Sequence, residues 1–318
     1  MRFKLPTVSD AFSYSLHFSS DVWRDAAAII CERHRIPYAS LRRSPQGENI
    51  IFFVDETFIL KIFAPFRDNH SREAAALEFA GGKLSLRTPR VAYAGELEGW
   101  SYLVMTRIAG QASHEAWAGM GRRSRLDIIS QLGVALSELH AHDAPLGTVL
   151  DRDWRGFVER QALGAVERQR ACNANPEWLS SLPAYIAARL ELLPADERPV
   201  FLHGDVHAGN LLLTQERGRG RIAGLIDFGD SLCGFREYEF VAPGVLMVQG
   251  DRELQRELLL AYGYTEGQLD LNLRARLMLL TILYECSDLR KYALRLDPAA
   301  VQLTLEELER AIWTFVAG

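Results

Sequence analysis

Two neighbouring stretches decide the fold of this chain: Phe201-Leu-His-Gly-Asp-Val-His-Ala-Gly-Asn-Leu-Leu-Leu213 and Gly224-Leu-Ile-Asp-Phe-Gly-Asp230. Each is an apolar run that delivers a carboxylate to a loop, and the Gly- and Arg-rich segment between them predicts a hairpin turn. Asp205, Asn210 and Asp227 have the spacing and chemistry that phosphoryl transfer requires: a base for an acceptor hydroxyl and two oxygen ligands for magnesium beside a triphosphate. The sequence therefore indicates a phosphate-handling site.

Two other interpretations of the first stretch compete with this one. His203, Asp205 and His207 alternate and would share one face of an extended strand, which is a ligand set that zinc favours. Gly204 and Gly209 instead predict an irregular loop, and no other histidine cluster supplies an outlying ligand. A structural role, in which His203 hydrogen-bonds the backbone of the loop, is the preferred interpretation of that histidine.

The composition bounds the class of protein. The chain has 318 residues, 48% of them hydrophobic, which is enough for two lobes with sizeable cores. Its formal net charge of -5 provides no general basic surface for nucleic acid. The four cysteines lie far apart without a C-x-x-C pair, and neither a signal peptide nor a membrane-spanning apolar run is recognisable. We therefore expect a cytoplasmic monomer that binds neither nucleic acid nor a membrane.

The first third of the chain predicts a small mixed lobe. Residues 21–34 have helical spacing, and three short strand-like runs follow within residues 38–63. A helix over residues 71–79 precedes two further strands, at residues 91–93 and 100–105. The predicted architecture is a five-stranded antiparallel sheet with one main helix.

Lys61 is a charged residue in the otherwise apolar run Phe58-Ile-Leu-Lys-Ile-Phe63. Burying an ammonium group is costly unless it is paired, so a solvent-facing lysine on an edge strand is the simpler interpretation of the run taken alone. Glu73 or Glu78 of the following helix can face this strand, and we favour Glu73 because it lies one turn into the helix. A strand lysine held by a helix glutamate and directed at nucleotide phosphates is the arrangement of kinases.

Two segments of the first lobe are candidates for nucleotide contacts. Residues 44–49 contain one glycine, so they do not match the G-x-G-x-x-G phosphate cover of protein kinases, but Ser44, Asn49 and the backbone amides can donate to phosphate oxygens. The connector after the fifth strand has free backbone groups with which an adenine edge can pair. Its predicted partners are the Thr106 carbonyl and the Ile108 amide.

The remainder of the chain is mostly helical, which places a boundary near residue 106 and predicts two domains, residues 1–106 and 107–318. Apolar residues at helical spacing predict a core helix over residues 124–140, with a capping-box-like start at Ser124. Further helices are predicted over residues 154–172, 176–192, 251–262, 271–292 and 304–316. The fold class is therefore α+β, with a small antiparallel-sheet N-lobe and a larger, mostly helical C-lobe.

Two motifs of this chain are His203-Gly-Asp-Val-His-Ala-Gly-Asn210 and Ile226-Asp-Phe-Gly-Asp230. Together they resemble the motifs of the aminoglycoside phosphotransferases, the antibiotic-kinase branch of the protein-kinase-like two-lobe fold. Counterparts of the family pattern extend over most of the chain. They are Lys61, Arg72-Glu73-Ala-Ala-Ala-Leu77, Tyr102-Leu-Val-Met-Thr-Arg-Ile-Ala-Gly110 and Leu136-Ser-Glu-Leu-His140. Within this family the chain looks most like the hygromycin B kinases. That likeness rests on three segments: the connector after the fifth strand, residues 203–210, and Gly250-Asp-Arg-Glu253.

The resemblance implies magnesium-dependent transfer of the γ-phosphate of ATP, or of GTP, to a hydroxyl of an aminoglycoside, with antibiotic resistance as the result. Asp205 would orient and deprotonate the acceptor hydroxyl, while Asn210 and Asp227 would hold Mg²⁺. Lys61 would contact the α- and β-phosphates, with Glu73 fixing its position, so most of the catalysis would be positioning and charge neutralisation.

The segment after the second stretch departs from the family pattern. Many relatives have Gly-Asp-Pro before an acidic residue, whereas this chain has Gly234-Phe-Arg-Glu-Tyr-Glu239. Glu239 can still supply the structural acid of the family. The substitutions at Phe235 and Arg236 change the segment that lines the acceptor pocket in relatives.

The acceptor site is predicted to be acidic. An aminoglycoside is a polycation, so its pocket should carry carboxylates that protein cations do not neutralise. Candidates are Asp230 and, three residues apart on one face of the helix predicted over residues 271–292, Glu285 and Asp288. The alternative is that Glu285 and Asp288 pair with neighbouring cations on a solvated face.

Two other functions are compatible with the same residues. The chemistry would equally serve a kinase of a small metabolite, such as a sugar, an amino alcohol like choline or homoserine, or a macrolide. A nucleotide-binding pseudokinase that regulates a partner ranks last, because Lys61, Asp205, Asn210 and Asp227 are all present.

Overall fold

The computed structural model describes residues 3–45, 47–67, 69–151, 153–194, 197–216 and 219–316. The strands of the N-terminal part are β1 (Leu41–Arg43), β2 (Ile50–Val54), β3 (Phe58–Ile62), β4 (Val91–Leu97) and β5 (Trp100–Thr106). They form one antiparallel sheet in the spatial order β1-β2-β3-β5-β4. The predicted five-stranded sheet is confirmed.

One face of this sheet packs against two N-terminal helices, α1 (Ala11–His17) and α2 (Val22–Arg33). Burial alternates along β2, so that every second side chain, beginning with Ile50, points into this core. The fully buried Trp23 of α2 lies edge-on to Trp100 of β5, with 4.6 Å between the ring centroids. The two helices therefore cover the side of the sheet that faces away from the candidate site.

The helix α3 (His70–Ala80) packs against the opposite face, where Leu77 shares a core with Leu103 of β5. Lys61 of β3 is paired in register with Leu103 on one side and with Ile51 of β2 on the other. Because β3 has a neighbouring strand on both sides, it is not an edge strand. The interpretation of Lys61 as a solvent-facing edge lysine is therefore wrong.

The C-terminal part is mostly helical, as predicted. Its helices are α4 (Ser113–Gly119), α5 (Arg122–His140), α6 (Trp154–Ala171), α7 (Pro176–Leu190), α8 (Val241–Pro243), α9 (Arg252–Tyr262), α10 (Leu271–Leu283), α11 (Leu289–Leu296) and α12 (Leu305–Ile312). The helices α5 and α9 approach so closely that a Cβ on Gly133 would lie 2.6 Å from the carbonyl oxygen of Leu258. Among the described helices, none combines the length and apolar character needed to cross a membrane.

Two small sheets carry the candidate site. One pairs β7 (Val200–Leu202) with β10 (Leu232–Gly234), and the other joins β6 (Gln111–Ala112), β8 (Leu211–Glu216) and β9 (Arg219–Leu225). The strands β8 and β9 form the predicted hairpin, whose residues 217 and 218 lie outside the described residues. Residues 203–210 (the histidine loop) follow β7 and residues 226–230 (the aspartate loop) follow β9. The Ile226 amide donates to the Asn210 carbonyl (3.0 Å), so the two loops are adjacent.

The prediction of one helix over residues 271–292 is wrong. The segment forms two helices, α10 and α11, separated by a turn at residues 284–288. Asp288 caps α11 by accepting a hydrogen bond from a backbone amide of its first turn (2.8 Å), and the buried side chain of Gln169 accepts one from the Leu289 amide (2.9 Å). These two acceptors satisfy backbone amides that begin a new helix, so the helix is interrupted here although the apolar period continues.

Other boundaries differ by a few residues. The helix α5 begins at Arg122 after Gly121, so Ser124 is not its cap, and α12 ends at Ile312, four residues earlier than predicted. Thr106 is the last residue of β5, so the proposed domain boundary falls at the end of a strand. The division into two domains at that residue stays a prediction.

Candidate active site

The histidine loop surrounds Asp205 with hydrogen-bond donors. The side-chain amide of Asn210 donates to the Asp205 backbone carbonyl (2.8 Å) and to its carboxylate oxygen Oδ2 (3.0 Å). Atom Nε2 of His207 lies 3.3 Å from the same oxygen. Residues 208–210 form one turn of 3-10 helix capped by His207, and this turn brings Asn210 back towards Asp205.

These contacts keep the Asp205 carboxyl group ionised at neutral pH. Burial opposes the charge, but the hydrogen bond and charge of His207 and the hydrogen bond from Asn210 outweigh it, and the pKa of Asp205 is lowered. Burial also opposes a charge on His207, whereas the Asp205 carboxylate favours it and raises the pKa of His207 above its usual value. Asp205 is therefore a hydrogen-bond acceptor at neutral pH.

His203 has a structural role in this conformation. Its Nδ1 accepts a hydrogen bond from the Asp205 amide (3.2 Å), and its Nε2 lies 3.0 Å from the Ile226 carbonyl oxygen of the aspartate loop. Both ring nitrogens are therefore occupied by backbone groups rather than available to a metal. Within the part of the chain that the structure describes, no three His, Cys, Asp or Glu side chains are grouped as a metal site. The zinc interpretation has no geometric support.

Glu239 anchors the start of the histidine loop. Its carboxylate oxygens accept hydrogen bonds from the amides of His203 (2.6 Å) and Gly204 (2.9 Å), and one of them lies 3.5 Å from Nε2 of His140. Gly204 has a φ of +84°, and a Cβ there would lie 2.5 Å from the carbonyl oxygen of Asp230. Glycine is required at this position because a side chain would push the two loops apart. Glu239 thus occupies the structural position that the sequence assigned to it.

Lys61 joins the N-terminal sheet to the aspartate loop. Its Nζ atom lies 2.7 Å from Oε2 of Glu73 in α3 and 2.7 Å from Oδ1 of Asp227. Lys61 and Glu73 are only 4% and 2% exposed, respectively. The structure thus brings together Lys61 and Glu73, as the sequence predicted, and adds a direct contact with Asp227 that the sequence analysis did not foresee.

The charges of Lys61, Glu73 and Asp227 depend on one another. Burial opposes a charge on Lys61, but the Glu73 and Asp227 carboxylates favour it and raise the pKa of the lysine. The Lys61 ammonium is the main influence on Asp227 and lowers the pKa of that carboxyl group. For Glu73 burial dominates and raises the pKa, so its negative charge is maintained only by the adjacent lysine.

Asp227 has the geometry of a constrained ligand. Its φ is +66°, in the left-handed region that a non-glycine residue adopts at a cost. Its side chain is 49% exposed although Oδ1 is bonded to Lys61, so the carboxylate also faces solvent. The adjacent Asn210 donates to Asp205 through its amide nitrogen, which directs its amide oxygen away from that carboxylate. One carboxylate and one amide oxygen fit Mg²⁺, which takes its remaining ligands from phosphates and water.

Asp230 and Glu285 lie near these carboxylates. Asp230 is solvent-exposed, and its pKa is raised by partial burial and by the negative charges of Asp205, Asp227 and Glu285. Glu285 is exposed in the turn after α10, and its charge acts on Asp230. The carboxylates of Asp230 and Glu285 therefore lie within electrostatic reach of the loop that carries Asp205.

The position of Asp288 differs from the one that the sequence predicted. Because Glu285 lies in a turn and Asp288 is the N-cap of α11, the two do not share one face of a helix. The Asp288 carboxylate accepts the amide of Lys291 (2.8 Å), so it is used in capping. A substrate contact for Asp288 stays a prediction without geometric support.

The predicted phosphate loop, residues 44–49, connects β1 and β2. The Ser44 amide donates to the Ile51 carbonyl (2.8 Å), which extends the pairing around β1 and β2. Asn49 is only 5% exposed, so its side chain is closed off from solvent in this conformation. Residue 46 lies outside the described residues. Phosphate contacts from Ser44 and Asn49 stay predictions.

The connector after β5 retains strand geometry. The Thr106 amide donates to the Arg90 carbonyl (2.9 Å), and the next residue, Arg107, donates in the other direction to Thr57 (2.9 Å). Because backbone groups alternate in direction along a strand, the Thr106 carbonyl faces the same edge as its amide. The Ile108 side chain is 8% exposed and lies against Gly224. The pairing of adenine with Thr106 and Ile108 stays a prediction.

Two residues at the site were missed by the sequence analysis. The Tyr284 hydroxyl lies 3.1 Å from the Gly204 carbonyl oxygen and 3.3 Å from Oδ1 of Asp205. Arg72 of α3 donates to the Gly229 carbonyl of the aspartate loop (3.3 Å). No local pattern marks Tyr284, because it lies inside the apolar run that predicted a continuous helix, whereas Arg72 could have been found from its place beside Glu73.

Comparison with known proteins agrees with this geometry. The chain matches the phosphotransferase enzyme family, APH, over residues 41–280. The aminoglycoside 3'-phosphotransferase of Niallia circulans is 29% identical over 161 residues, which are 49% of this chain and 56% of that enzyme. The probable ketoamine kinase of Synechocystis sp. is 29% identical over 149 residues, which are 43% of this chain and 48% of that protein. The chain thus matches about half the length of each of these relatives.

The fold is similar to that of solved phosphotransferases. The GDP complex of wild-type aminoglycoside 2'-phosphotransferase-IIIa aligns with 92% of this chain and 99% of its own chain, with a TM-score of 0.67 and 18% identity. This similarity extends through the antiparallel-sheet lobe and the helical part, which confirms the predicted fold. The family match covers most of the chain and includes both loops of the site. The chain therefore belongs to the APH phosphotransferase enzyme family.

Proposed function

We propose that the protein transfers the γ-phosphate of ATP to a hydroxyl group of a small molecule in a magnesium-dependent reaction. The observation that carries this proposal is the position of the Lys61 ammonium, 2.7 Å from both Glu73 and Asp227. It is a buried cation at the junction of the sheet and the aspartate loop, where the phosphates of a nucleotide would need one. Membership of the phosphotransferase family supports the same reaction. GTP is an alternative donor.

The residues of the two loops have distinct roles in this proposal. Asn210 and Asp227 would hold Mg²⁺, which would supply charge neutralisation on the phosphates. Lys61 would bind the α- and β-phosphates and, because Glu73 holds it from the other side, would keep a fixed position. Asp205 would accept a hydrogen bond from the acceptor hydroxyl and then its proton.

The lowered pKa of Asp205 defines how it would act. A carboxylate of low pKa is a weak base, so it would orient the hydroxyl strongly and take its proton only late in the reaction. Phosphoryl transfer passes through a loose transition state in which little proton transfer is needed early. Positioning is therefore the main contribution of Asp205.

The acceptor in this proposal is a cationic, hydroxyl-rich molecule, in the first place an aminoglycoside such as hygromycin B. Asp230 and Glu285 place two carboxylates near Asp205, which would favour a cationic substrate. The Niallia circulans relative is named for an aminoglycoside substrate. Resistance to such an antibiotic would then be the physiological role, exerted in the cytoplasm where ATP is present.

A kinase of a metabolite is the second candidate, favoured by the relative that is named a ketoamine kinase. A ketoamine carries both an amine and sugar hydroxyls, so the same acidic site would suit it. The two candidates share donor, metal and catalytic loops and differ only in the acceptor.

An acceptor panel distinguishes these functions. The purified protein would be incubated with ATP or GTP and Mg²⁺ in the presence of aminoglycosides including hygromycin B, ketoamines, sugars and amino alcohols, and release of nucleoside diphosphate would be followed. We expect release that depends on an aminoglycoside and falls by about 10²- to 10⁴-fold in Asp205→Asn. Release only with a ketoamine or sugar would favour the metabolite kinase. An Asp205→Ala variant with unchanged biological activity would favour the pseudokinase.

A further inference from the structure

The two carboxylate oxygens of Asp205 have different partners. Oδ2 lies against the histidine loop, at 3.0 Å from Nδ2 of Asn210 and 3.3 Å from Nε2 of His207. Oδ1 lies 3.3 Å from the hydroxyl of Tyr284, which belongs to the turn between α10 and α11. The orientation of the carboxylate is therefore defined from two separate parts of the fold.

The Tyr284 hydroxyl is held in place by its ring. The residue is 6% exposed, and the ring packs in an apolar cluster with Phe157, Leu202 and Tyr238. The Tyr238 ring centroid lies 5.5 Å from that of Tyr284, and the Tyr238 hydroxyl accepts a hydrogen bond from the Glu285 amide (3.2 Å). A buried aromatic ring in such a cluster cannot swing away, so its hydroxyl has a fixed position.

Tyr284 acts as a donor over the whole range of physiological pH. Burial, followed by the charge of Asp205, raises the pKa of its hydroxyl above the usual tyrosine value. Its single proton has two acceptors within reach, Oδ1 of Asp205 and the Gly204 carbonyl oxygen at 3.1 Å. Rotation about the bond between the ring and the oxygen moves the proton from one acceptor to the other while the ring stays in place.

We propose that Tyr284 is a positioning residue for Asp205: its hydroxyl holds the carboxylate in the rotamer that presents Oδ1 to the acceptor hydroxyl. When that hydroxyl donates to Oδ1, the tyrosine proton turns to the Gly204 carbonyl, and both groups remain hydrogen-bonded. Because Tyr284 and Glu285 are neighbours in one turn, the same turn that supplies a carboxylate to the acceptor side also fixes the catalytic one. This inference rests on the proposed phosphoryl transfer to a hydroxyl.

The test is a comparison of Tyr284→Phe with Tyr292→Phe. Tyr292 is a matched control, since it is buried in α11 and its hydroxyl bonds the Cys286 carbonyl of the same turn (3.3 Å) without touching Asp205. We expect kcat of Tyr284→Phe to fall about tenfold, a fraction of the roughly 10²- to 10⁴-fold contribution of a general base. The KM for ATP should stay at its wild-type value, and the thermal midpoint should fall no further than that of Tyr292→Phe, because each variant loses one hydrogen bond from a buried tyrosine to a carbonyl oxygen. The kcat of Tyr292→Phe should stay within about twofold of wild type.

A merely structural role would give a different pattern. If kcat, nucleotide affinity and thermal midpoint of Tyr284→Phe fell together, or if kcat were unchanged, the positioning role would be refuted. In the Asp205→Asn background, Tyr284→Phe should cause no further loss of residual activity, because the carboxylate that it positions is absent. A further loss of the same size would also contradict the proposal.

Crystal structures of the wild type and of Tyr284→Phe supply a readout that does not depend on turnover. We expect the Asp205 carboxylate to rotate or to occupy two conformers in the variant, and an unchanged single conformer would overturn the inference. A wild-type enzyme that phosphorylates no acceptor would refute the proposed function, and the two structures would still decide whether Tyr284 positions Asp205.

Discussion

Replacement of Lys61 by methionine tests the buried ion group at the centre of the site. The change preserves most of the side-chain volume and removes the ammonium that lies 2.7 Å from both Glu73 and Asp227. Asp227 is 49% exposed and can be hydrated, so its loss of a partner should cost little. Glu73 is 2% exposed and would remain as a buried carboxyl group without a cation. The cost of the substitution therefore arises mainly from Glu73.

The magnitude follows from the burial of that carboxyl group. Removing one member of a buried ion pair destabilises a protein by about 3–5 kcal/mol. The pKa of Glu73 is already raised by burial in the wild type, and without Lys61 it should rise further. A carboxyl group whose pKa is higher in the folded state stabilises the fold at low pH and loses that contribution as the pH rises through the folded-state pKa. We therefore expect Lys61→Met to be least stable relative to wild type at pH 7–8, and to recover as the pH approaches about 5.

Urea unfolding of both proteins across this pH range is the assay. The matched control is the double variant Lys61→Met with Glu73→Gln, which removes the buried charge along with its partner and should cost less than Lys61→Met alone at neutral pH. A Lys61→Met variant that unfolds within about 0.5 kcal/mol of wild type at every pH would refute the reasoning, because surface substitutions have effects of that size. So would a difference that grows as the pH falls.

Four other substitutions or treatments give direct tests. Asp205→Asn should lower kcat by about 10²- to 10⁴-fold with little change in the KM for ATP, as measured by steady-state kinetics, and a rise in that KM alone would contradict its role. Gly204→Ala should destabilise the protein by about 1–3 kcal/mol and reduce activity, because its φ is +84° and the Cβ would lie 2.5 Å from the Asp230 carbonyl; a thermal midpoint equal to that of wild type would show that the loops can separate. Asp230→Asn should raise the KM for a cationic acceptor about tenfold, which corresponds to about 1.4 kcal/mol of binding free energy, and should leave the KM for a neutral hydroxyl acceptor unchanged. An equal effect on both acceptors would exclude a charge contribution. Chelation of Mg²⁺ by EDTA should abolish transfer and added Mg²⁺ should restore it, whereas activity that persists in EDTA would remove the metal from the proposal.

Local patterns predicted the parts of the site that lie on regular structure or in short motifs. The apolar run around Lys61 and the helix that carries Glu73 have clear periods, and their pairing follows from the cost of burying an ammonium alone. The motif around Asp205 and Asn210 is compact enough that a single turn brings the two together. These contacts join residues that are close in sequence, five positions apart for Asp205 and Asn210 and twelve for Lys61 and Glu73.

The parts that were not predicted depend on distant residues. The run through Tyr284 keeps a helical period, and the break after Leu283 depends on Gln169, more than a hundred residues away, which accepts the Leu289 amide. Without that break, Glu285 and Asp288 would share a helix face and Tyr284 would point elsewhere. The helix α1 was also missed, although the capping box of Asp10 and Ser13 marks its start.

The most direct test of the central claim is transfer of the γ-phosphate itself. Wild-type protein would be incubated with ATP labelled in the γ-phosphate and a set of hydroxyl-bearing acceptors, and the label in each acceptor would be measured beside Lys61→Met and Asp205→Asn. The account predicts label in a cationic, hydroxyl-rich acceptor with the wild type, and a large loss of it in both variants. Binding of ATP without label in any acceptor, or label that is independent of Asp205, would contradict it.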